Sequence, residues 1–583
     1  GVARVHYGDA LAIDANGRRL PMQTCVVPGG IELRLAGSAL AEAAFPLVVD
    51  PLVAPVVVAV GAPCVDVAVA YDQQGSKNLW LAEVRETAGD ADLRLFRTDP
   101  DGANPVLVFA DLSNLWSSRE PSLGLDVPAG RMLLAWTRYF TANDTSRVRM
   151  HVHERADLGL AGGVLNAASI GNRNQWRPVV GDELSPVSFT SVLVAMQVEG
   201  ENAFANLPFS EIHGQLVTLA GAGSIVANFP IADAPFVDHE RPTLAKVAVG
   251  PTRQWTVAYQ RYAGVAGDDW DVGVRRIDAA NVVGPEVVID GATPGSHEMA
   301  PRLGGSDDRL MLFTTASTVA ESSGKPAGAN GHRIRGTRLG WNGAFTTPHG
   351  SKTLQANADA RLELAGVDFD RNSLSHWALA FRSNVTQNLY LRLYGYRGEE
   401  VLDHTIDSPA TALGTIHGGS VCFRSSGSEF HVGYGIVDPG QNSPSKLRRR
   451  QYTAVFPAYL SGASCTPMQI AWNGSQWIGG EFGSISFTGS PAGTISFAVL
   501  ATAPASLQLF GMVPVVDGCW QYVPIAGPDY LGELPWQFGT SGSWSLPIPE
   551  GLSPITLHVQ GVNYDPATGV ARTTNRLNIG LSW

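Results

Sequence analysis

The sequence predicts an all-β protein built around a seven-bladed β-propeller. Three observations carry this: a short apolar strand that recurs seven times, turn residues spread evenly between strands, and the lack of any long amphipathic helical pattern. The strand with a large central or terminal residue appears as Val67–Tyr71, Leu133–Trp136, Val192–Met196, Thr256–Tyr259, Leu310–Phe313, Ala378–Phe381 and His431–Tyr434. Its large residue returns at intervals of 53 to 68 positions.

Other signals keep phase with that strand. A proline opens several units upstream, in Glu120-Pro121, Arg177-Pro178, Arg241-Pro242 and Ala300-Pro301. An alternating strand follows downstream, as in Arg147–Val152, Asp271–Ile277, Arg333–Arg338 and Leu389–Leu393. A turn and one more short strand close the unit, as in Asp278–Asn281 leading to Glu286–Ile289. Each unit therefore holds about four strands, too small a sheet to bury both faces alone. Radial stacking buries them against neighbours and leaves short edges. The unit is too short for a β-sandwich of about 100 residues. In this reading the continuous apolar strand is the sandwiched one and the alternating strands lie further out.

Composition agrees. Gly (64) and Pro (37) make up about 17 % of the 583 residues, above the usual roughly 12 %, and mark many tight turns. A chain this long divides into about three domains. These are placed at 1–53 (an N-terminal β-module), 54–458 (the propeller) and 459–583 (a C-terminal β-sandwich).

The net charge of −12 argues against a nucleic-acid partner. The basic run Lys446–Arg450 reads as a solvated strand edge. No apolar run is long enough for a membrane helix. The chain starts at Gly1 and is expected to be a processed or excised extracellular or cell-surface fragment, its targeting signal gone. None of the five cysteines forms a CxxC pair, so a zinc site is not expected. Cys465 and Cys519 are the expected disulfide, and Cys25 with Cys64 a weaker second pair. Cys422 is then left as a buried thiol.

The unit Arg241–Ala245, Trp255–Tyr259 and Asp271–Asp278 resembles the extracellular propeller repeats of large bacterial surface proteins, over about 54–458. Residues 4–53, with Tyr7-Gly8-Asp9, Asp14–Arg18 and Phe45–Pro51, resemble a short β-module that precedes such repeats in secreted bacterial proteins. Residues 460–583, with Leu507–Gly511, Gly518-Cys519, Gly542–Pro549, Leu557–Gly561, Tyr564–Pro566 and Thr574–Leu577, resemble a β-rich C-terminal module of secreted proteins from environmental bacteria. The resemblance implies a secreted propeller protein and no particular activity.

Few residues point to chemistry. His239-Glu240 and His297-Glu298 read H-E without the rest of H-E-x-x-H, and are placed at the same point of successive repeats in a structural role. His151 and His153 share one strand face, as a metal pair would. Calcium is the one cofactor considered, with Asp99, Asp101, Asp268, Asp269 and Asp271 as candidate ligands in acidic turns. Trp80, Trp116, Trp270 and Trp341 could stack on sugars, although core packing is the commoner use. No nucleophile elbow, phosphate loop or dinucleotide fingerprint occurs.

The function expected from this is a non-catalytic extracellular surface or matrix protein. It would be a self-assembling filament or layer subunit or an adhesin, with itself or an extracellular glycan or protein as partner. The alternative is a polysaccharide-active hydrolase with its site over the propeller funnel, or a lectin-like module. Facing carboxylates in that funnel would favour the hydrolase, and a plug of apolar or arginine side chains would count against it.

Overall fold

A computed structural model shows a nearly all-β chain with, among the described residues, one short helix, Gly37–Ala41. It describes the strands between Ala10 and Leu581 and the turns named with them; residues outside the description include 1–9, 51–55, 182–190, 201–208, 246–253, 263–268, 319–331, 452–458, 462–467, 474–481, 502–506, 509–519, 522–529 and 548–554.

Seven small antiparallel sheets follow one another along the chain. Their first strands are Cys64–Tyr71, Ser117–Asp126, Gln175–Val180, Asp238–Leu244, His297–Ser306, Leu362–Phe369 and Thr415–Arg424. Each first strand touches the first strand of the sheet before and after it, and the seventh touches the first. The arrangement is that of a β-propeller, in which the first strands surround a central channel. The outermost strand of the seventh sheet comes from the start of the region: Val56–Ala59 pairs with Ser445–Gln451. A buried Arg85 locks this closure. Its guanidinium donates to both oxygens of Glu83 at 2.7 and 2.9 Å, to the carbonyls of Ala59, Ala62 and Ser443, and to Ser445 Oγ.

The second strand of each sheet carries the largest core side chains. Trp80, Trp136, Trp255 and Trp377 sit there fully buried. This corrects the phase of the sequence repeat in the first unit. Leu133–Trp136 and its five later counterparts are second strands, but Val67–Tyr71 lies in a first strand; its true counterpart is Trp80–Glu83, with Glu83 at the place of Trp136. The slip arose because both strands are apolar and buried, and the first unit lacks the proline that marks the second to fifth.

Where the proline occurs, it marks a bulge. In every sheet the first strand shifts register against the second at one place, as between Arg119 and Ser122, Trp176 and Val179, Glu240 and Thr243, and Met299 and Arg302. The residues before proline there, Glu120, Arg177, Arg241 and Ala300, have positive φ between 49° and 56°. Proline has no N–H to give the ladder, so it is tolerated at a bulge, and the bulge re-aims the residue before it. The bulge also shows that His239-Glu240 and His297-Glu298 are not equivalent, contrary to the expectation: Glu240 matches Met299, and His239 matches Glu298.

Outside the ring, Gly30–Leu35, Arg19–Val27, Ala10–Ile13 and Val48–Asp50 form a separate antiparallel sheet. Near the C-terminus, one sheet contains Gln469–Asn473, Phe482–Thr488 and Ser541–Pro547, and another contains Ile495–Ala501, Ile555–Asp565 and Val570–Leu581. Side chains from both, including Ile470, Phe487, Trp544, Ala498, Val559 and Leu577, share one core. No helix among the described residues is long and apolar enough to cross a membrane.

Candidate functional site

The channel between the first strands holds a cavity of about 380 Å³, within the size range of small-ligand sites. Its inner part is apolar, lined by Val67, Leu123, Val180, Leu244, Leu303 and Val421. Its mouth, on the side where the first strands begin, is charged: Asp66, Glu120, Arg177, Arg241 and Arg302 come from five consecutive sheets. Bulges place Glu120, Arg177 and Arg241 there. A bulge leaves the backbone N–H of its left-handed residue without a ladder partner, and such a group needs an acceptor once buried.

The acceptors come from the preceding sheet. The amide of Glu120 donates to Asp66 Oδ2 at 3.1 Å, that of Arg177 to Glu120 Oε2 at 2.9 Å, that of Arg241 to Gln197 Oε1 at 3.3 Å and that of Ala300 to Gln260 Oε1 at 3.1 Å. The same contacts that staple neighbouring sheets thus hold the carboxyl groups of Asp66 and Glu120 at the mouth.

Those two groups have different surroundings. Burial pushes the Asp66 carboxyl up to about 7, reinforced by the negative charge of Glu120 and opposed by the amides of Val67 and Glu120. Glu120 Oε2 accepts from Thr137 Oγ1 at 2.9 Å and Tyr139 OH at 3.1 Å as well as from Arg177 N. Its Oε1 lies 3.5 Å from Arg177 Nε. Arg177 also donates to Gln197 Oε1 at 2.8 Å and to Glu240 Oε2 at 3.4 Å. Two carboxyl groups in one cavity with unlike surroundings can divide acid and base roles. Arginines line the mouth, yet the cavity beside them stays open, so they do not form the plug that would argue against an enzyme.

None of these five residues was singled out for chemistry in the sequence. The legible signal was the charged residue before proline at the same place in successive units, in Glu120-Pro121, Arg177-Pro178 and Arg241-Pro242.

The residues that were singled out lie elsewhere. Asp99 and Asp101 belong to an exposed hairpin turn and are engaged within it, Asp99 Oδ2 by Asn104 Nδ2 at 2.7 Å and Asp101 Oδ1 by Ala103 N at 3.3 Å. Asp271 lies 3.9 Å from Arg261 Nη1, Asp269 is half-buried nearby, and Asp268 falls outside the described residues. Among the described residues no group of three or more His, Cys, Asp or Glu is placed to hold a metal ion. His151 and His153 do share a face, but both are buried with ring centroids 4.4 Å apart and Phe109 packed on both. Burial pushes His153 down to about 3. Trp80 and Trp270 are buried in the core, the commoner of the two uses weighed for them; Trp116 and Trp341 lie under the guanidinium groups of Arg138 and Arg276. Lys446, from the basic run, pairs with Asp407 at 2.9 Å.

Cys64 is a free, buried thiol, which removes the Cys25–Cys64 pairing. It packs in the same core cluster as Cys422, which is also buried and forms no disulfide among the described residues. Cys465 and Cys519 fall outside the described residues.

No protein-family model matches the chain, and no curated protein matches it. Among solved structures it is similar to an α-L-arabinanase from Penicillium chrysogenum complexed with arabinobiose, at 13 % identity over 68 % of this chain and 97 % of that one, with a TM-score of 0.37. It is similar to the β-propeller domain of a trilobed protease from Pyrococcus furiosus, at 8 % identity over 66 % and 95 %, with a TM-score of 0.33. It is also similar to a polysaccharide lyase, at 8 % identity over 65 % and 89 %, with a TM-score of 0.40. The expectation of a non-catalytic surface or matrix subunit is corrected at this point. The channel brings the carboxyl groups of Asp66 and Glu120 together beside an open cavity, which packing or self-assembly does not require.

Proposed function

We propose that the chain is a polysaccharide-active hydrolase working outside the cell on glycan, with its site in the funnel mouth of a seven-bladed propeller. The seven sheets are its blades, residues 54–458 its extent, and 1–53 and 459–583 a flanking β-module and a β-sandwich. The observation that carries the reading is Asp66, a carboxyl group facing the cavity and held near neutrality beside the second carboxylate, Glu120.

Asp66 is the general acid. With its pKa pushed up to about 7, it keeps its proton in near-neutral water and can give it to the glycosidic oxygen as the bond breaks. Glu120 is the partner carboxylate. Three donors fix Oε2 and leave Oε1 to face the sugar or orient a water. Tyr139 and Thr137 are positioning residues acting through Glu120. Arg177 donates to it from its backbone amide and lies close with its side chain, which aims the carboxylate.

Reducing-end release from a panel of neutral and acidic polysaccharides tests this. The expected result is cleavage that falls as pH rises above about 7, with kcat lowered roughly 10²- to 10⁴-fold by Asp66→Asn. Glu120→Gln is expected to be at least as damaging. Cleavage by Asp66→Asn at the wild-type rate, or no cleavage of any polymer in the panel, overturns the proposal.

A further inference from the structure

We propose that the funnel takes an acidic saccharide, and that Arg241 and Arg302 bind the carboxylate of a uronic acid unit there. The inference rests on the funnel being the glycan site and adds what that glycan must carry.

The argument starts from the partners of the three guanidinium groups. Arg177 is engaged by Glu120, Gln197 and Glu240. Arg241 is not matched in this way. Its Nε and Nη2 are buried without a hydrogen-bond acceptor, and the carboxylate oxygen nearest in its ion pair, Glu240 Oε2, stands 3.9 Å from Nε. Glu240 is already taken by Gln260 Nε2 at 3.2 Å and Arg177 Nη1 at 3.4 Å. Arg302 donates to two backbone carbonyls, Ala365 O at 3.2 Å and Pro301 O at 3.0 Å. Buried N–H groups of a charged side chain are ordinarily hydrogen-bonded, and a lasting exception points to something that binds them.

Charge gives the same answer. The mouth gathers Arg177, Arg241 and Arg302 against Glu120, Glu240 and Asp66. When Asp66 holds its proton, as the acid role demands, three positive charges face two negative ones. The cations also oppose one another: burial first, and then Arg177 and Arg302, push the Arg241 guanidinium down to about 10. A neutral sugar supplies hydroxyl acceptors but no compensating charge. A carboxylate supplies both, and its two coplanar oxygens match the guanidinium fork. Arg241 and Arg302 stand on adjacent first strands lining one cavity, so one anionic group in the mouth faces both. A sulfate ester on a sugar shares the charge but not the planar geometry, and the test separates the two.

Affinity electrophoresis and calorimetry of the whole chain, carrying Asp66→Asn so that polymers stay intact, give the readout. The ligands are polygalacturonate, dextran sulfate and neutral arabinan. Expected are binding of polygalacturonate at least 10-fold tighter than arabinan, loss of affinity with rising salt, and a further 10-fold weakening by Arg241→Gln or Arg302→Gln. Arg241→Lys should recover part of the loss. The wild-type unfolding midpoint, which does not depend on a glutamine variant folding, is read as well: galacturonate should raise it and galactose should not. Equal affinity for arabinan and polygalacturonate overturns the inference, as does binding unchanged in a folded Arg241→Gln variant. Dextran sulfate bound in place of polygalacturonate overturns the uronate assignment. Cleavage of arabinan abolished by Asp66→Asn would overturn this inference and keep the hydrolase. Binding of polygalacturonate that wild type never cleaves would do the reverse.

Discussion

The backbone amide of Glu120 donates to Oδ2 of Asp66 at 3.1 Å, across the gap between two neighbouring sheets. One carboxyl group therefore serves both as a structural acceptor for a bulged strand and as the proposed acid. The two roles can be separated by substitution.

Asp66→Asn keeps a carbonyl oxygen that can accept the Glu120 amide, whereas Asp66→Ala leaves that amide without its acceptor. An unmade hydrogen bond to a buried group costs about 1–3 kcal/mol. The alanine variant should be destabilised by about that amount relative to the asparagine variant, while both lose activity. Urea unfolding of the two, side by side, checks the difference.

Stability should fall with pH from both directions, for different groups. Asp66 and Asp238 are each raised from 3.8 to about 7, chiefly by burial. They bind protons more tightly folded than unfolded, so their contribution is full below about 4 and is lost as pH rises toward 7. His153, His239 and His376 are pushed down by burial, to about 3, 4 and 3. Their contribution is full above 6.5 and is lost as pH falls through that range. Unfolding midpoints measured from pH 3 to 8 should show Asp66→Asn gaining on wild type as pH rises from about 4 to 7. They should also show His376→Gln losing less than wild type on acidification. A gap between Asp66→Asn and wild type that is independent of pH would refute the burial of that carboxyl group.

Arg85 and Glu83 are 2 % and 0 % exposed, and Arg85 is the clamp between the first sheet and the seventh. Arg85→Met leaves a buried carboxylate unpaired and is expected to cost about 3–5 kcal/mol. Replacing both members, as Glu83→Leu with Arg85→Met, should recover much of that loss, because no charge then remains buried. A urea titration of the single and double variants measures it.

Burial pushes the Cys64 thiol above its ordinary range, with Glu83 adding to the effect. Neither Cys64 nor Cys422 should react with a thiol reagent in the native protein, and both should react in urea. Peptide mapping after labelling reads each cysteine separately. Native labelling at Cys64 would contradict its place in the core.

The sequence alone determined the all-β class and the propeller-type repeat, because both are written in local patterns: strand-length apolar runs, turns at regular spacing and prolines in phase. It could also have flagged the charged residues before proline, since Glu120, Arg177 and Arg241 recur at one point of the unit. The tertiary structure alone decided what those residues do. The bulges turn them into a shared channel, and Asp66, which has no proline to mark it, joins them only because the first and second sheets lie side by side. Asp66 and Glu120 are 54 residues apart in the chain, and nothing local to either makes one carboxyl group nearly neutral and the other a fixed acceptor. That division arises from burial and from a neighbour's charge, which exist only once the ring has closed.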